Sequence, residues 1–113
     1  MKSFVIVVKD NNISESGYKE LIESYDTYGH DDGIEPHYAI ELEKVEGYAR
    51  GNGLEWNYPW EGQQTDLKTG LIKSAYQTAD KRRRISCFMS HWYLWQKCIK
   101  LDEMICILEH DAR

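Results

Sequence analysis

Long apolar runs are missing from this chain. No stretch of its 113 residues approaches the roughly 20 consecutive apolar residues that a membrane-spanning helix needs. The opening Met1-Lys2-Ser3 and the run Phe4-Val5-Ile6-Val7-Val8 carry the charge of a secretory signal, but neither its apolar length nor its small-residue cleavage site. Lys9-Asp10-Asn11-Asn12 follows at once, so the run reads as a buried first strand. Lys9-Asp10-Asn11-Asn12-Ile13 contains no glycine, which disfavours a nucleotide-binding domain built on a Gly-rich phosphate loop. Cysteines are few, and Cys87, Cys98 and Cys106 do not make a disulfide framework. Cys87 and Cys98 fall on one expected helix about 16 Å apart, too far to bridge. Their spacing fits no zinc module, and reduced, mostly buried thiols in a cytoplasmic protein are expected.

An excess of basic charge is also missing. Fourteen basic residues stand against 19 acidic ones, a net of -5, which disfavours nonspecific nucleic-acid binding. The exception is Lys81-Arg82-Arg83-Arg84, either a phosphate-facing cluster or a solvated helix start or loop. There is no internal repeat and no low-complexity linker, so residues 1–113 read as one domain with a modest core.

What is present follows an alternating plan. Phe4–Val8 is a continuous β-branched run, as in strands covered on both faces of a parallel sheet. Tyr18, Leu21, Ile22, Tyr25 and Tyr28 then recur at helical spacing, predicting a helix over Gly17–Tyr28 with Ser14 or Ser16 as its cap. Ile34–Ile40 is a second expected strand, made irregular or partly unpaired by Pro36. Leu42, Val45 and Ala49 permit a short helix ending near Gly47 or Gly51. Residues Leu54 to Gly62, with Trp56, Tyr58, Pro59 and Trp60, read as a long aromatic loop that either stacks on a sugar or base or packs as core. A further helix is expected from Thr65 or Asp66 through Leu67, Leu71, Ala75 and Ala79. His30-Asp31-Asp32 is a turn that could hold a cation or serve as an ordinary hydrophilic corner.

The last third is the clearest. Ile85, Phe88, Met89, Trp92, Trp95, Gln96 and Ile99 trace the buried stripe expected of a helix over Ile85–Lys100. After a tight turn, Met104–Leu108 is another apolar strand, with Glu109-His110-Asp111 at its carboxyl end. Ligands of open α/β sheets bind beyond the carboxyl ends of strands. Two carboxylates there can converge on a hard divalent cation, Mg²⁺ or Mn²⁺, whose other positions take diphosphate oxygens. The alternative is an acidic loop with no ligand. The expected architecture is a three-layer α/β domain with a mainly parallel sheet.

Two segments together resemble glycosyltransferase family 25, the lipooligosaccharide and collagen galactosyltransferase type. They are Arg84-Ile85-Ser86-Cys87-Phe88-Met89-Ser90-His91-Trp92-Tyr93-Leu94-Trp95 and Ile105-Cys106-Ile107-Leu108-Glu109-His110-Asp111-Ala112. The resemblance implies a GT-A-like (Rossmann-like) fold, a UDP-hexose donor, a glycan acceptor and Mn²⁺ or Mg²⁺ at the acidic motif. By the same resemblance Asp111 is the leading metal ligand and Glu109 contributes directly or through water. Val8 and Lys9 lie near the uracil or ribose, and Ser90 and His91 match the family's Ser-His pair. The chain departs from the family pattern at Arg83, Arg84 and Ser86, and His110 replaces an acidic residue, either as a ligand itself or as an exposed loop residue. Its span corresponds to the amino-terminal, donor-binding half, so a homo-oligomer or a completing chain is expected, with sugar transfer requiring the missing half. The alternative is a non-catalytic nucleotide-binding or interaction module that keeps the fold.

Overall fold

The three segments expected to be strands of a mainly parallel sheet do pair into one parallel sheet. The computed structural model describes residues 1–28, 32–56, 62–75 and 80–112. Strand β1 (Lys2–Val7) leads into α1 (Asn12–Tyr28), and β2 (Ile34–Tyr38) follows. A 3₁₀ turn (Leu42–Lys44) runs into α2 (Val45–Gly51), then come β3 (Gln63–Thr65), β4 (Ile72–Ser74), α3 (Arg82–Leu101) and β5 (Ile105–Glu109). The main sheet has the order β2-β1-β5, and both pairings of β1 are parallel.

Register assigns the faces. Phe4 pairs with Ile107, and Ile6 with both His37 and Glu109, so these side chains share one face. Phe4 and Ile6 form a core there with Leu94 of α3, flanked by Ala39, Ile105 and Ile107. The Lys97 ammonium lies 4.6 Å from the centroid of the Phe4 ring, a cation–π contact that lets its stem cover the core. Val5 and Val7, also buried, point to the opposite face, where α1 packs on β1 and β2. A satellite core joins α2 to α3 through Val45, Ile85 and Met89, with Ile40, Leu54, Trp56 and Trp92 around it.

Several local expectations change. Helix α1 begins at Asn12, five residues before the expected Gly17. Neither serine is its cap: Asn11 Oδ1 accepts from Ser14 N–H at 3.0 Å, the geometry of an asparagine N-cap. Ser14, almost fully enclosed, instead accepts a hydrogen bond from Val8 N–H at 2.7 Å. Pro36 does not disturb β2. Ala39 N–H donates to Val7 O, so the odd-numbered amides of β2 face β1 and the proline nitrogen faces the open edge, where no donor is needed.

The expected helix from Thr65 onward is a hairpin of β3 and β4, paired antiparallel from Gln63↔Ser74 to Thr65↔Ile72. Asp66 Oδ1 accepts from Lys68 N–H at 2.9 Å, closing a turn where a helix cap was expected, and Gly70 takes a φ of +71° that helical alanine could not share. Ala79, Tyr58, Pro59, Trp60, Gly29, His30 and Asp31 lie outside the described residues. Basic residue Arg84 is buried, so the Lys81–Arg84 run is not a uniformly solvated face. Arg82 grips Asp80 at 2.7 Å, and that pairing holds the Asp80 carboxyl down to about 2.

The buried face of α3 is rotated from the expected stripe. Ile85, Ser86, Met89, Ser90 and Leu94 are enclosed, whereas Phe88, Trp95 and Ile99 are exposed. The serines can be buried because both hydroxyls are satisfied. Ser86 donates to Ile40 O and Ser90 to Ser86 O, each at 2.7 Å. Small residues there bring the helix close to its neighbours, and Phe88 and Trp95 are left outside.

Candidate functional site

The chain leaves β1 on one side to form β2 and returns on the other as β5. The carboxyl ends of β1 and β5 therefore flank a point where strand order reverses, the usual ligand position in open α/β sheets. Each face of β5 carries a different cluster at this end.

On the α1 face, a cleft of ≈ 500 Å³ is lined by Asn12, Ser16, Gly17, Glu20, His110 and Asp111, among others. The flank of the first two turns of α1, from Asn12 to Glu20, forms its wall. Gly17 sets the closeness of that wall: a β-carbon there would lie inside contact distance of the His110 carbonyl oxygen. Only glycine lets α1 rest against the acidic turn.

On the α3 face, Glu109 meets the helix. Its Oε1 lies 3.8 Å from His91 Nε2, and the ligand atoms of Cys87, His91 and Glu109 all fall within 4.8 Å of one another. Cys87 and His91 are one turn apart on α3, so their side chains emerge together. His91 Nδ1 sits 3.0 Å from Cys87 O. A carbonyl only accepts, so Nδ1 is the protonated nitrogen and Nε2 the one facing Glu109. The Cys87 thiol is pushed up, mainly by burial and then by the Glu109 charge. Across the same sheet row, His37 is pushed down, first by burial and then by Lys97 and His91.

The two acidic residues singled out from the sequence are thus divided. Glu109 joins His91 and Cys87, and Asp111 joins α1. Val8 and Lys9 are exposed at the end of β1, with Val8 N–H tied to Ser14. Ser90 is completely enclosed and its hydroxyl is used within the helix, so it presents no surface to a ligand in this arrangement. Sequence reading missed Asn12 as a cleft residue because it began the helix at Gly17, and it gave Ser16 a capping role and Glu20 a place in the helix but neither a place in a site. The signal was Asn11, a strong cap residue just before that turn. It also set Cys87 aside, although Cys87 and His91 stand at i and i+4. Cys87 is exposed, against the expectation of mostly buried thiols, while Cys98 and Cys106 are partly covered.

Fold and site together define a mixed α/β domain with a three-stranded parallel sheet and its polar groups gathered at the carboxyl ends of the strands. The model of the family described as glycosyltransferase family 25 (LPS biosynthesis protein) matches residues 57–113. The chain belongs to glycosyltransferase family 25, whose chemistry is glycosyl transfer. No curated protein and no solved structure matches the chain. No helix among the described residues is long and apolar enough to cross a membrane.

Proposed function

We propose that this chain forms the donor-binding half of a metal-dependent hexosyltransferase that uses a UDP-sugar in lipopolysaccharide assembly. The observation that carries the reading is Asp111, placed on a cleft at the strand-order reversal and facing the first turn of α1. In this reading β1, α1, β2 and β5 are the opening of a GT-A-like fold. The diphosphate lies along the amino-terminal turn of α1, and the nucleoside lies toward Val8 and Lys9. Asp111 is the principal ligand to Mn²⁺ or Mg²⁺ and Glu20 stands in the same cleft, while Glu109, on the α3 face, clusters with His91 and Cys87 instead. The ion would offset charge developing on the departing nucleotide. His91 stands beside Glu109 on the α3 side. Transfer also requires an acceptor hydroxyl held in near-attack geometry, which the proposal gives to a completing chain or segment. Three cysteines without disulfide partners suit a cytoplasmic setting.

Calorimetric titration with UDP, with and without Mn²⁺, tests this reading. Weak metal-dependent binding is expected, with a dissociation constant near millimolar, about −4 kcal/mol. Asp111→Ala should remove the metal-dependent part and leave the fold intact, because the side chain is exposed. Equal binding with and without metal would take the acidic turn out of the donor site.

A further inference from the structure

The geometry points to a second metal site, a zinc-class site formed by Cys87, His91 and Glu109 on the α3 face of β5. It does not depend on the UDP-sugar reading, because it takes the metal ion alone.

Thiolate, imidazole and carboxylate are the donor set of zinc, and three protein ligands with a fourth position left to water is a common zinc arrangement. The thiolate separates this site from the cleft around Asp111, since soft sulfur disfavours Mg²⁺ and Mn²⁺. Distances support it. Tetrahedral zinc bonds of about 2.0–2.3 Å place ligand atoms roughly 3.3–3.6 Å apart. The His91–Glu109 separation is 3.8 Å and the widest within the group is no more than 4.8 Å, so small side-chain rotations close the site.

The orientation of His91 is an independent observation. Zinc-bound histidines commonly donate the nitrogen that does not bind metal to a carboxylate, carbonyl or water, which fixes the tautomer. His91 does this through Nδ1 to Cys87 O at 3.0 Å, with Nε2 left on the Glu109 side, 3.8 Å from its Oε1. Access is open as well: Cys87 is exposed and the Glu109 side chain is 56% exposed, so the ion and its water can enter. Binding converts the Cys87 thiol to a thiolate bonded to Zn²⁺ and releases one proton to solvent. The bound ion clamps α3 to the end of β5.

The test uses the whole chain, reduced and stripped of metal, titrated with Co²⁺ and then Zn²⁺ in the absence of nucleotide. Tetrahedral cobalt absorption with a thiolate charge-transfer band is expected, and Zn²⁺ should displace it. Cys87→Ser should abolish the band, whereas Cys98→Ser and Cys106→Ser should leave it. Glu109→Gln, at an exposed side chain where folding is not at risk, should weaken cobalt affinity by at least about tenfold, the lower end of changes seen for even outer-shell partners. Asp111→Ala should leave the spectrum unchanged, though it removes metal-dependent UDP binding if the donor reading holds. A cobalt spectrum without a thiolate band, a band that survives Cys87→Ser, or unchanged affinity in Glu109→Gln would each overturn the site. Loss of the spectrum in Asp111→Ala would move the ion to the α1 cleft and overturn it too.

Discussion

Gly17 shows how much one missing side chain can matter. In an exposed helix interior, replacing glycine by alanine stabilises by about 1 kcal/mol. Here the added methyl meets the backbone of His110, and backbone cannot rotate away as a side-chain tip can. Overpacking of this kind costs roughly 1–3 kcal/mol, so the clash outweighs the helix preference. Gly17→Ala should lower the melting temperature in a thermal scan and weaken any UDP binding, because the acidic turn must move. A raised melting temperature would mean that α1 and the turn are not in close contact. No pattern in the sequence announced this role, since the contact joins residues nearly a whole chain apart.

At the scale of elements, the start of α1 is fastened twice. Asn11 caps the helix, and Ser14 holds the last amide before the chain turns out of β1. Ser14→Ala would remove the acceptor of the part-buried bond from Val8 N–H, a loss of about 0.5–1.5 kcal/mol. Asn11→Ala should cost about 1 kcal/mol. Both can be read from chemical denaturation, and an unchanged midpoint for Ser14→Ala would show that water substitutes for the hydroxyl. The main-sheet strands and the helices α1 and α3 were legible from sequence, because continuous β-branched runs and helical spacing are local signals. The rotation of α3 was not, because a count of apolar positions treats Phe88 and Trp95 as core and Ser86 and Ser90 as surface. The hairpin of β3 and β4 was lost for a related reason. Leu67, Leu71 and Ala75 have helical spacing, but Leu67 is 95% exposed and the turn chemistry of Asp66 and Gly70 decides the backbone. Of the candidate site, the position at the end of β5 could be read from the sequence. The division of Glu109 and Asp111 between two faces could not, since it depends on how the strand ends.

For the molecule as a whole, the exposed shoulder of α3 bears on association. Phe88 and Trp95 stack edge to face, 6.0 Å between centroids, and Ile99 and Met104 are 70% and 78% exposed nearby in sequence. Among the described residues β5 is an edge of the sheet, and exposed edges and apolar patches favour pairing with another chain. A homodimer or larger assembly is expected at micromolar concentration, and Trp95→Glu should shift it toward monomer. Light scattering that shows a clean monomer for the unaltered chain would count against this.

The parallel pairing of β1 with β5 also sets a clock on folding. Phe4 finds Ile107 only across nearly the full length of the chain. At about 5–20 residues per second on the ribosome, β1 waits on the order of 5–20 seconds for that neighbour to be made. For most of that time its apolar residues are sheltered only by α1 and β2, since Leu94 of α3, which covers Phe4 and Ile6, is made just ahead of β5. The nascent chain therefore passes through a stage in which the future centre of the sheet is its open edge, and chaperones that bind extended apolar segments have their best opportunity at Phe4–Val7.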